Sequence, residues 1–175
     1  MKKTVFFLFM LATITNSAFS QDSSPKGKFS GYAFGDYFYN ISSPTSGLSD
    51  LNGIQFRRIY LTYDYAISET FSSRFRLEAD QTANSSDGKV GTFVKDAYLQ
   101  WKNIFDGSDL VFGIQPTPGS EVAESVWGNR FLEKTIMDLR GIVSSRDMGI
   151  ALKGKLTDDG MFKYWLLFGN GSGNK

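Results

Sequence analysis

Apolar and polar side chains alternate along most of this chain, in runs of about ten residues closed by turn-forming residues. Seven runs carry the pattern: 28–40, 54–67, 70–82, 92–102, 109–115, 146–156 and 161–169. The third shows it best, with Thr70, Ser72, Arg74, Arg76, Glu78 and Asp80 in one phase and Phe71, Ser73, Phe75, Leu77 and Ala79 in the other. In a strand those two sets point to opposite faces. The second run splits into Ile59, Leu61, Tyr63, Tyr65 and Ile67 against Arg58, Tyr60, Thr62 and Asp64. The first is ambiguous, because aromatics occupy both phases around Gly31 and Gly35, and Asp36 is expected on the polar side.

The connections alternate in length. Residues 68–69, 104–108 and 157–160 are short links, whereas 41–53, 83–91 and 116–145 are long. An up-and-down antiparallel meander has this form when its two ends face different surroundings, and transmembrane β-barrels have short periplasmic turns and long outer loops. A soluble β-sandwich also alternates, with its apolar face hidden and its charged face wet. Three features favour the barrel: strands longer than the usual 5–6 residues, aromatics such as Tyr63, Tyr65 and Trp101 near strand ends, and small turns gathered at one end. The expected fold is therefore an all-β transmembrane up-and-down barrel. An exported β-sandwich that binds carbohydrate is the alternative. Seven antiparallel runs cannot close on themselves, because the first and last would run parallel, so the chain is expected to be the N-terminal part of a larger barrel.

The first twenty residues read as an address. Met1-Lys2-Lys3 is basic, Val5 to Ile14 is apolar, and Ala18-Phe19-Ser20 supplies small residues before a cut at Gln21. This is the order of a secretory signal peptide. Its apolar stretch spans about 15 Å as a helix, half the roughly 30 Å of a bilayer core. Residues 21–27 are expected to be a polar lead-in, and 28–175 the barrel segment.

Composition narrows the chemistry further. The 175 residues hold 19 Lys+Arg against 18 Asp+Glu, 15% aromatics, and neither Cys nor His. The chain itself thus offers no Ser-His-Asp or Cys-His nucleophile system, disulfide or His/Cys metal site. Near-neutral charge gives no basic face for nucleic acid. No enzyme activity, cofactor or metal is expected. Glu78 and Asp80 could pair as glycosidase carboxylates by spacing, but such pairs are common on any wet sheet face.

Candidate functional residues follow from the barrel. Arg58, Arg74, Arg76, Glu78 and Asp80 are candidates for the channel lining, where rings of Arg select anions and acidic rings cations. The competing role is structural, with Arg74 and Arg76 paired across strands to acids such as Asp64 and Asp96. The link 116–145 is the candidate constriction loop, carrying Glu121, Glu124, Arg130, Glu133, Lys134 and Arg140. Thr117-Pro118 reads as an N-cap with Pro at the first helical position, and short helices are expected over 121–127 and 131–139. Arg57, by alternation, belongs on the lipid side, its head snorkelling to headgroups, and Lys95 is expected to do the same.

Several segments together resemble the phosphate-selective porin family of the O/P type. They are Arg57-Arg58-Ile59-Tyr60-Leu61, Lys95 to Trp101 (KDAYLQW), and Phe112-Gly113-Ile114-Gln115-Pro116-Thr117-Pro118. Glu121, Ser125, Arg130-Phe131, Glu133 and Ser145-Arg146-Asp147-Met148-Gly149 complete the set. The resemblance implies an outer-membrane barrel of about 16 strands, within the even-numbered range of single-chain barrels. It also implies a homotrimer set in outer-membrane lipid of a Gram-negative-type bacterium. Small hydrophilic or anionic solutes such as phosphate would cross it by passive diffusion past a folded-in loop.

Overall fold

The computed structural model describes residues 26–80 and 87–173. The expected signal peptide, most of the expected polar lead-in, and positions 81–86, which end the expected third run and open the second long connection, lie outside the described residues. Seven strands form one sheet: β1 (Gly27–Tyr39), β2 (Asn52–Ala66), β3 (Phe71–Asp80), β4 (Thr92–Phe105), β5 (Ser108–Pro116), β6 (Arg146–Lys155) and β7 (Lys163–Gly169). Each of the expected runs is one of these strands. They pair in sequence order, every neighbour antiparallel, and β1 and β7 remain as two free edges. Two helices, α1 (Pro118–Trp127) and α2 (Ile136–Leu139), lie in the link between β5 and β6. No helix among the described residues is long and apolar enough to cross a membrane, which says nothing of strands.

The turns between β2 and β3, β4 and β5, and β6 and β7 fall at one end, and the long connections at the other. The β4–β5 link is tighter than expected. It needs only Asp106-Gly107, with Gly107 at φ 67°, because β4 continues to Phe105.

The two faces of the sheet are buried in the reverse of the usual order. Ile54 is 90% exposed, Phe168 82% and Phe112 57%, whereas Asp96, Glu78 and Thr62 are 0%, 1% and 2% exposed. Ile59, Leu61, Phe75, Leu99, Ile150 and Leu166 share the open face. A large apolar side chain left in water forfeits roughly 1.5–3 kcal/mol of burial. Summed over this face, that rivals the 5–15 kcal/mol that holds a typical domain together. The apolar side is thus the side that needs a cover, and the ionic side already has one: the long loop.

Two β-bulges change which side chains reach the polar face. Pairing steps from Phe34–Arg58 to Gly35–Phe56, leaving Arg57 as an extra residue in β2. It also steps from Arg76–Asp96 to Leu77–Val94, leaving Lys95 extra in β4. An extra residue breaks the two-residue period and re-aims its side chain. The lipid-side placement expected for Arg57 and Lys95 is corrected accordingly: both take ionic partners on the polar face. The first bulge also resolves the ambiguity of β1. Tyr32 lies against Tyr60, the rings tilted with centroids 4.8 Å apart, and Phe34 meets the Arg58 head, so these aromatics join the polar side, and Asp36 is there too, as expected.

Candidate functional site

The polar face is organised as paired charges under the loop. Asp96 on β4 is its centre, fully buried and holding Arg146 at the start of β6 and, at 3.3 Å, Arg76 on β3. Arg76 also donates to the Thr62 hydroxyl at 2.8 Å. One row over, Glu78 takes Lys95 at 2.8 Å and the Tyr60 hydroxyl at 2.9 Å. Toward the short-turn end, Arg74 grips Asp64 with two nitrogens, at 2.6 and 3.1 Å. The expected cross-strand partners Asp64 and Asp96 are therefore the ones found. Burying such charges is tolerable only when each is paired and hydrogen-bonded.

Residues 117–145 are bound to this face by side chains at several points. Arg130 donates to the Tyr60 hydroxyl at 3.3 Å and pairs with Glu124 at 3.4 Å. Glu133 lies 3.6 Å from Arg57, which also binds Asp36 at 2.7 Å. Lys134 reaches Asp80 at 3.5 Å, and Arg58 donates to the Arg130 carbonyl at 2.8 Å. Near the loop's return, Lys95 donates to the Ser145 hydroxyl at 3.1 Å. The loop therefore crosses from β5 back over β2 and β3. Glu121 is exposed on α1, where its field reaches Arg146 and Lys153. Arg140, exposed at the end of α2, joins none of these pairs among the described residues.

The local reasons are legible in the chain. α1 begins with Pro at its first positions and ends at Gly128, whose φ of 66° suits glycine. The expected cap residue Thr117 does not cap. Its hydroxyl donates instead to the Ser144 carbonyl at 2.6 Å and ties the loop's two ends together. The helix boundaries differ from those expected: α1 starts three residues earlier, and the second helix is reduced to Ile136–Leu139. The intervening residues turn instead, and that turn delivers Arg130, Glu133 and Lys134 to the polar face of the sheet.

All five lining candidates, Arg58, Arg74, Arg76, Glu78 and Asp80, lie on the polar face, and each has a partner there. Four loop candidates, Glu124, Arg130, Glu133 and Lys134, make the contacts above. Arg57, Lys95, Asp96 and Arg146 complete the site and were not among the candidates. Compared with protein-family models, curated proteins and solved structures, the chain matches none.

Beyond the paired centre, the strand ends of the polar face toward the short turns carry more lysines than acids, while the turns themselves hold Glu69, Asp106, Asp158 and Asp159. A cavity of about 340 Å³ there is bounded by Lys28, Asp64, Arg74, Tyr98, Gln100 and Lys102, among others. On the same face Lys153 lies 5.1 Å from the Trp165 ring centroid, opposite Asp109 in the register, and Lys155 pairs with Lys163. Asp109 is also occupied by the Gln100 amide at 2.6 Å. No group of carboxylates among the described residues is spaced to hold a metal ion.

Proposed function

We propose that this chain is part of an outer-membrane β-barrel that lets small hydrophilic solutes diffuse passively, with anions favoured. The observation that carries the reading is the inversion of burial, with Phe112 and Phe168 open while Asp96 and Glu78 are covered. Hydrocarbon is the cover that an apolar outer sheet face takes, and a wet lumen is the counterpart of an ionic one. A sheet edge in hydrocarbon must be paired, so the free edges of β1 and β7 take further strands that complete the wall.

In this reading residues 116–145 narrow the lumen, and the wall pairs hold that constriction in place. The lysines on the strand ends of the polar face, which outnumber Asp64 and Asp109 on that same face, bias the pore toward anions. The resemblance to phosphate-selective porins adds phosphate as a candidate solute and a trimer as the assembly. Signal-peptide cleavage and Gram-negative outer-membrane residence belong to the same proposal. Transport requires no bond to form or break, so no catalytic residue is assigned.

Planar-bilayer recording of the detergent-purified protein tests the reading. Stepwise conductance with an anion-selective reversal potential is expected. A compact monomer soluble without detergent would support the carbohydrate-binding sandwich instead and end the channel reading. Cation selectivity would remove the anion preference alone.

A further inference from the structure

A second cavity, of about 190 Å³, lies where the loop meets β2 and β3. Arg57, Arg58, Lys134, Asp80, Glu133, Leu132 and Leu139 bound it. The carboxylates around it are already committed to other cations: Glu133 and Asp36 to Arg57, Asp80 to Lys134, and Glu124 to Arg130. Arg58 is the exception. It is 4% exposed, and its head lies 5.5 Å from the Phe34 ring centroid. One nitrogen donates to a backbone carbonyl, while Nη1 is buried with no acceptor, and among the described residues no carboxylate lies within 4.0 Å of it. Asp80 stands opposite Arg58 in the register but is paired with Lys134, and arginine cannot shed its proton to relieve an unmet donor.

The same cavity has an apolar side. Leu132 and Leu139 bound it and are exposed, so they have little protein to pack against. Its volume is below the roughly 300–1,000 Å³ of drug-sized pockets, which limits the occupant to a few heavy atoms. The geometry points to a seat for a small organic carboxylate with an apolar body, its carboxylate on the Arg58 guanidinium and its hydrocarbon against Leu132 and Leu139. Phosphate, hydrated on all sides, gains nothing from the leucines, and a neutral alcohol gains nothing from the arginine. As a statement of what the channel prefers, the assignment rests on the channel reading; as a binding seat, it stands on the cavity.

Calorimetric titration of the full polypeptide in detergent micelles, with isovalerate, inorganic phosphate and isopentanol, tests the inference. Isovalerate is expected to saturate at one per chain, with isopentanol weaker by about tenfold or more for want of one charge-assisted hydrogen bond, and phosphate weaker by about fourfold for each methylene that the leucines cover in isovalerate. Arg58→Gln removes isovalerate binding by a similar factor. Leu139→Ser, at an exposed position that leaves the fold intact, weakens isovalerate by about fourfold for each methylene it uncovers and leaves acetate unchanged. If Arg58→Gln does not fold, Leu139→Ser and the ligand series on the unaltered chain decide. Phosphate binding as tight as isovalerate, or isovalerate indifferent to Leu139→Ser, overturns the inference. Binding without bilayer conductance keeps the seat and removes the channel; conductance without binding does the reverse.

Discussion

Two neighbouring pairs of charges, Arg57-Arg58 and Lys95-Asp96, break the alternation of their strands, and each marks a bulge. In a strict two-residue period one member of each pair would face the apolar side. The inserted residue lets both stay with ions. At these two places the adjacent charges coincide with a bulge that strict periodicity read past, whereas Arg146-Asp147 at the start of β6 stand side by side in an unbroken register. The role of Arg146 was not readable, because its partner Asp96 is fifty positions away and meets it only through the register. Asp96→Asn strands Arg146 and Arg76 in a buried setting and is expected to cost about 3–5 kcal/mol. Asp64→Asn breaks a pair that is one-third exposed on both sides, and about 0–1 kcal/mol is expected. Urea titration in micelles, followed by tryptophan fluorescence, separates the two values. Gly113, at φ 128° and with only 2.2 Å between a built Cβ and the Ala97 carbonyl oxygen, admits no side chain. Gly113→Ala is expected to lower stability by more than about 1 kcal/mol in the same assay.

At the level of elements, the strands were visible in the sequence because burial on one side writes a two-residue period into the chain. The loop was not, since its shape answers to groups on distant strands rather than to its own propensities. Its first helix ends before, and its second starts after, the stretch in which Arg130, Glu133 and Lys134 turn toward Tyr60, Arg57 and Asp80. Arg130→Ala combined with Lys134→Ala removes two of these ties. In bilayers, single-channel conductance and open-channel noise should both rise, and unchanged values would mean that the loop does not set the pore. The turn before β7 offers a pH test. Asp159 accepts from the Thr157 hydroxyl at 2.5 Å and from the Met161 amide at 2.9 Å, and these bonds hold its carboxyl below the usual carboxylate range. A lowered folded value means that the turn is supported above the ordinary carboxylate titration and loses that support as pH falls through the folded one. A carboxyl carbon NMR titration should find Asp159 titrating below an unstructured aspartate, and Thr157→Ala should move it back up.

At the scale of the molecule, the distribution of ions and hydrocarbon sets the solvent on each side. Phe112, midway along β5, decides which solvent is outside. Phe112→Arg is expected to cost about 2–4 kcal/mol if the residue faces the bilayer midplane, and within about 0.5 kcal/mol of nothing if it faces water. Unfolding in lipid vesicles measures the difference. Charge reversal at the short-turn end, Lys102→Glu with Lys153→Glu, should move the reversal potential toward cations. The count of strands carries one more consequence. With seven alternating directions, β1 and β7 point the same way. Copies of this sheet set head-to-tail about a common axis would put β7 of one beside β1 of the next, and every seam would join parallel strands. An all-antiparallel cylinder therefore cannot be made by repeating this unit around its circumference; a closed antiparallel wall would take an odd number of further strands between β7 and β1.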